Sequence, residues 1–219
     1  MNKIIVEVSI GELLDKISIL EIKQEKIKDP EKLKFINKEY FILKKQLEKN
    51  VKSDDKLNNL YQSLKKINAK LWVIEDDKRQ CEKDKDFGEK FIKLSRDVHF
   101  LNDDRAKIKL EIKQEKIKDP KKLEFINKEH SILKDQLGKS VKFDDKLNNL
   151  YQSLKEINAK LWIIEDDKRQ CEKDKDFGEK FVKLSRDVHF LNDDRAKIKL
   201  EINNHTGSII KEIKEYTSY

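Results

Sequence analysis

Slid against itself by 90 residues, the chain lays residues 20–109 over 110–199 with differences only at positions 31, 34, 40, 41, 45, 48, 50, 53, 66, 73 and 92. Such near-identity marks a recent tandem duplication, and whatever the first copy can fold into, the second can too. Residues 1–19 and 200–219 lie outside the duplicated stretch. Two units are therefore expected, 1–109 and 110–219, the second without the opening of the first and the first without the ending of the second.

Each copy reads as helix throughout. Ser9-Ile10-Gly11-Glu12 is a capping box, in which the Ser side chain and the Glu three residues on satisfy each other's backbone donors, with Val8 and Leu13 placed to form the hydrophobic staple. A helix is expected from Ile10, with Ile10, Leu13, Leu14, Ile17, Leu20 and Ile27 on its apolar face. Asp29-Pro30 ends it and opens the next, Pro fitting the first helical position. The second helix, 30–49, keeps three-four spacing at Leu33, Ile36, Tyr40, Leu43 and Leu47. The third keeps it at Leu57, Leu60, Leu64, Ile67, Leu71 and Ile74, with Cys81 a heptad further on. Asp86-Phe87-Gly88-Glu89 reads as a second capping box, opening a helix with its seam at Phe87, Phe91, Leu94, Val98, Leu101, Arg105, Ile108 and Ile112.

No stop occurs before Asp119-Pro120, so the last helix of the first unit and the first of the second should be one rod over 87–118. The series then repeats through 120–139, 144–173 and 177–205, where Asn203-Asn204-His205-Thr206-Gly207 supplies a glycine stop. The fold class expected is all-α: tandem antiparallel, coiled-coil-like bundles sharing one long fused helix, with residues 3–8 alternating weakly as a short N-terminal strand.

Composition agrees. Charged residues make up 42% of the chain and hydrophobic ones 37%, with five Gly and two Pro, which suits helical hairpins with wide solvated faces and leaves little material for turn-rich β structure. The net charge of +7 arises from 50 basic and 43 acidic residues, finely interspersed. Nucleic-acid binding needs a clustered basic face, so this pattern argues against it. No apolar stretch approaches the ~20 residues of a membrane span, and the N-terminus lacks the features of a signal peptide. Cytoplasmic residence is expected. Cys81 and Cys171 are one thiol copied, expected to be free in separate bundles.

Arginine is the informative residue. Six of the 50 basic residues are Arg, at Arg79, Arg96 and Arg105 and their copies Arg169, Arg186 and Arg195. Each marks a place where a planar, bidentate donor serves better than Lys. Trp72, Glu75, Asp76 and Arg79 share one face of the third helix, and Asn102 and Arg105 one face of the fourth. The network expected in each unit joins Arg105 to Glu75 or Asp76, buttressed by Asn102 and Asp103 and lidded by Trp72. Its copy joins Arg195 to Glu165 or Asp166, with Asn192, Asp193, Trp162 and Arg169. A buried ion pair fixing helix register is the plainer reading of the same residues.

Glu12-x-x-Asp15 with Glu75-Asp76 matches, superficially, the acidic spacing that holds Mg²⁺ in all-α nucleotide pyrophosphohydrolases. A chain that is one-fifth Asp and Glu produces such spacings by chance. No two His have zinc-ligand spacing, and neither a phosphate loop nor a nucleophile elbow is present, so no metal, cofactor or catalytic residue is assigned.

The stretches VEVSIGELLDKISILEIK (6–23), LWVIEDDKR (71–79), FGEKFIKLSRDV (87–98) and NDDRAKIKLEIN (from Asn102 to Asn203 with one 90-residue period taken out), followed by Gly207-Ser208, resemble a family of small bacterial proteins of unknown function that carry a single copy. The LW-x-x-ED-x-x-R and ND-x-R pairing is also similar to a second uncharacterised helical family, sometimes encoded near envelope-polysaccharide genes. The resemblance implies an all-α fold and a hint of surface-glycan metabolism, with no activity. The first functional reading is thus a non-enzymatic scaffold that associates with itself or another protein. The alternative is a small acidic-site enzyme or binding protein for a nucleotide or nucleotide-sugar.

Overall fold

In the computed structural model, residues 8–116 and 144–208 are described. Among them are six α-helices, α1 (Ile10–Lys26), α2 (Pro30–Asn50), α3 (Asp55–Asp84), α4 (Glu89–Lys116), α5 (Asp145–Asp174) and α6 (Glu179–His205), and no strand. Residues 3–7 of the expected strand at 3–8, the helix at 120–139 and the chain after 208 fall outside the described residues, and Val8 is not in a strand.

Local sequence sets the boundaries. Ser9 caps α1 by accepting from the Glu12 N–H at 3.2 Å. Asp29 accepts from the N–H groups of Glu31 and Lys32, and Pro30 fills the first helical position of α2. α3 ends in a Schellman turn, with the Asp86 N–H donating to the Cys81 carbonyl at 2.9 Å and Lys85 left-handed at φ 55°. α5 ends the same way at Lys175, φ 54°. A lysine in the place that usually favours glycine is a small cost that both copies carry. α6 stops where the sequence asks, with Gly207 at φ 62° and the Ser208 N–H on the Asn203 carbonyl. The second capping box does not form. Asp86 accepts from the Gly88 N–H, two residues on, and the helix begins at Glu89 rather than Phe87. Its copy at Gly178 has no side-chain cap.

The fused helix is continuous from Glu89 to Lys116, with no turn near 103–110. The compact units cut across the sequence period: one takes Met1–Leu71 with Leu101–Lys142, the other Trp72–Phe100 with Phe143–Tyr219. Cys81 and Cys171 are free and buried, and both belong to the second unit rather than to separate bundles.

In the first unit, α1 is the central element. Gly11, Leu14, Asp15, Ile17, Ser18, Leu20, Ile22 and Lys23 are all buried, too many for one stripe, as befits a helix packed on more than one side. Leu14 joins Leu57, Leu64 and Ile112 in the core, with Leu47, Val51 and Ile108 against it. The close approach of α1 to α4 depends on Gly11, where a Cβ would stand 2.5 Å from the Lys109 carbonyl oxygen. Gly→Ala in an open helix gains about 1 kcal/mol. Here the obstacle is backbone, so we expect Gly11→Ala to lose about 2 kcal/mol through overpacking, read as a fall in urea midpoint. A rise in midpoint would show that the two helices part easily.

Candidate functional site

The polar residues singled out by sequence are distributed over both units, and the structure pairs them differently from expectation. In the first unit Arg105 turns to α1. Its Nε donates to Asp15 Oδ1 at 2.8 Å and its Nη2 to Oδ2. Asn68 donates from the same amide nitrogen to Asp15 Oδ1 at 2.9 Å and to Ser18 Oγ at 2.8 Å. Asp15, Ser18 and Asn68 are buried. Lys109 adds an ion pair to Glu12 at 2.7 Å. Arg105 therefore meets neither Glu75 nor Asp76. Glu75 and Asp76 belong to the second unit, where Arg195 also bypasses Glu165 and Asp166 and donates to Asn192 at 3.4 Å. Asp166 instead holds Arg169 at 3.2 Å, and Glu165 lies 3.5 Å from Lys168.

The second unit is organised around pairs that sequence reading missed. Arg96 donates to both carboxylate oxygens of Glu172, from Nε at 3.0 and 3.1 Å and from Nη2 at 2.6 Å. Its guanidinium lies 4.3 Å from the ring centre of Phe177. The counterparts 90 residues away do the same in reverse: Arg186 donates to Glu82 from Nε at 2.9 Å and Nη2 at 2.6 Å, and lies 4.3 Å over Phe87. When residue i contacts j′ and i′ contacts j, the contact is isologous, the signature of two equivalent surfaces related by a two-fold. The hairpin at 72–100 and the one at 162–190 present equivalent surfaces to each other.

The two hairpins bury matched residues: Lys78 and Lys168, Cys81 and Cys171, Phe91 and Phe181, Ser95 and Ser185, Val98 and Val188. Burial pushes the Lys168 ammonium down, and the neighbouring Lys78 charge adds to that. Burial also pushes both thiols up. The pairing is not fully symmetric. Arg79 is buried and grips Asp193 with two bonds of 2.9 and 3.0 Å, whereas Arg169 is half exposed. His189 is buried, 4.0 Å from Glu75, and its pKa is lowered to about 4, first by burial and then by the Arg79 and Lys78 charges.

Of the residues named from sequence, Arg79 with Asp193, Asn192 with Arg195, and Arg169 with Asp166 are brought together. Trp72 is half-buried, Trp162 is 73% exposed and lids nothing, and Asn102 is exposed in the first unit. Among the described residues no group of three or more His, Cys, Asp or Glu is arranged to hold a metal ion, and no helix is long and apolar enough to cross a membrane.

A sequence profile described as a family of unknown function, DUF6165, matches residues 4–119. No curated protein and no solved structure matches the chain.

Proposed function

We propose that this chain, which belongs to the DUF6165 family of unknown function, is a non-enzymatic interaction module whose hairpins recognise one another. One observation carries the reading: four of the six arginines, the residues best suited to gripping a ligand, each make bidentate bonds to a carboxylate on another helix. In each, two of the three guanidinium nitrogens are committed to joining helices. The reciprocal Arg96–Glu172 and Arg186–Glu82 contacts connect two copies of one hairpin, so the same surface on a single-copy chain would be self-complementary. On this reading the tandem duplication holds within one polypeptide a contact that shorter chains would make by dimerising.

Each of these part-buried pairs contributes modestly, about 1 kcal/mol, and the ring beneath each guanidinium a similar amount. Their use is to fix register and partner rather than to supply bulk stability. The competing reading, an acidic-site enzyme for a nucleotide or nucleotide-sugar, separates from this one in a thermal-shift assay with Mg²⁺ or Mn²⁺ plus nucleoside di- and triphosphates. We expect no change in Tm beyond the error of replicate scans. A ligand at 100 times its Kd stabilises by about 2.7 kcal/mol, so a rise of several degrees that needs both metal and nucleotide would overturn the module reading.

A further inference from the structure

The first unit shows how α1 is received, and the second contains the receiving surface again. In the first, the hairpin formed by the start of α3 and the end of α4 offers Leu57, Leu64, Asn68, Arg105, Lys109 and Ile112. Into it α1 places Gly11 against the Lys109 backbone, Glu12 on the Lys109 ammonium, Leu14 in the core, and Asp15 on Asn68 and Arg105. The start of α5 and the end of α6 repeat every receiving residue, as Leu147, Leu154, Asn158, Arg195, Lys199 and Ile202. The inserted residues do not recur. Ninety positions after Gly11, Glu12, Leu14 and Asp15 stand Leu101, Asn102, Asp104 and Arg105, and those belong to α4 in the first unit.

Leu147 is as buried as Leu57, at 4% against 5%, but four of the other receiving side chains register the difference. Asn68 is 5% exposed, whereas Asn158 is exposed and makes no hydrogen bond among the described residues. Leu64 and Ile112 are fully buried, whereas Leu154 and Ile202 are half-buried. Arg195 pairs with no carboxylate among the described residues and has only the 3.4 Å bond to Asn192. Trp162, one turn beyond Asn158 on the same face, is 73% exposed. The hairpin is nonetheless held at its open end, where His205 Nε2 lies 2.8 Å from Asp144 Oδ2, the residue that caps α5.

We infer that this α5–α6 face is a docking site for an amphipathic helix from another polypeptide with the chemistry of α1. That helix carries a glycine for close backbone approach, a leucine three residues on and an aspartate four residues on, to occupy Asn158 and Arg195. The inference rests on the interaction-module reading and names the partner's chemistry. A second copy of this chain is not the occupant, because each copy brings one α1 and already has one receiving face filled by it.

The test uses the full chain carrying Trp72→Phe, so that Trp162 is the remaining tryptophan reporter, and a labelled, end-blocked peptide of residues 8–28. We expect saturable one-to-one binding by fluorescence anisotropy, with Trp162 losing accessibility to acrylamide. The peptide with Asp15→Lys should bind at least 10-fold more weakly. Arg195→Leu in the chain should have the same effect, and Asn158→Lys, at an exposed position, gives a second variant that leaves the fold intact. Three results would overturn the proposal: no saturable binding, binding indifferent to Arg195→Leu and Asn158→Lys, or Trp162 already shielded in the peptide-free chain, which would mean that a segment of the chain itself covers the face. Binding that survives both chain variants would place the peptide in the first unit by exchange with α1. None of these touches the metal-and-nucleotide result, so the two readings fail separately.

Discussion

Arg105→Leu is expected to destabilise the first unit by about 3 kcal/mol, while the same substitution 90 residues on, Arg195→Leu, is expected to cost less than about 1 kcal/mol. The two arginines come from identical local sequence and differ only in what faces them. Arg105 meets a carboxylate whose side chain is 6% exposed, and its own side chain is 26% exposed. Removing the guanidinium leaves Asp15 with Asn68 as its remaining donor, and an anion desolvated to that degree needs more than one amide. The figure sits at the low end of the usual 3–5 kcal/mol because the arginine keeps partial access to water. Arg195 has no such anion to strand. Urea unfolding followed by circular dichroism, compared at constant m value, measures both. Equal losses from the two variants would show that Asp15 is solvated in the native state and that the receiving faces do not differ as described.

The helices themselves were legible because their punctuation is chemical. Ser9, Asp29-Pro30 and Gly207 act through groups within four residues of themselves, and the structure places α1, α2 and the end of α6 accordingly. The box at Asp86 fails locally too: its side chain closes a shorter turn onto the Gly88 N–H, and the helix starts at Glu89 rather than Phe87. Arginine scarcity points at the right side chains, but helix adjacency alone assigns their partners without register. With the turn at 85–88, residue 105 stands opposite 68, and Glu75 lies seven residues nearer the turn, about 10 Å away along the axis. Counting from the turn would have put Asn68 beside Arg105. Nothing comparable could have found Glu82 or Phe87 as partners of Arg186, because that contact joins residues 104 positions apart in sequence through packing of one hairpin on its copy. Periodicity specifies which face is apolar and not which other face it meets.

Acidification should weaken the second unit through His189. Its pKa falls from the ordinary 6.5 to about 4, because burial disfavours the imidazolium and the Arg79 and Lys78 charges stand beside it; Glu75 and Asp193 act in the opposite sense without prevailing. With the folded value below the unfolded one, the unfolded chain holds the extra proton between the two. The contribution of His189 is therefore complete above about pH 6.5, declines as pH falls from there towards 4, and changes no further below that. A depression of this size is worth at most about 3 kcal/mol, and on the order of 2 kcal/mol once residual solvation is allowed for. Carboxylates lose their own pairings over part of the same range, so the measurement is a difference. Unfolding free energies of the native chain and His189→Gln, taken at pH 7 and pH 4.5, should converge on acidification, because the variant lacks the titrating ring. If the gap between the two proteins is the same at both pH values, the imidazole is not held neutral by its surroundings, and the packing of Arg79, Asp193 and Glu75 around it is looser than the 4.0 Å approach of Glu75 implies.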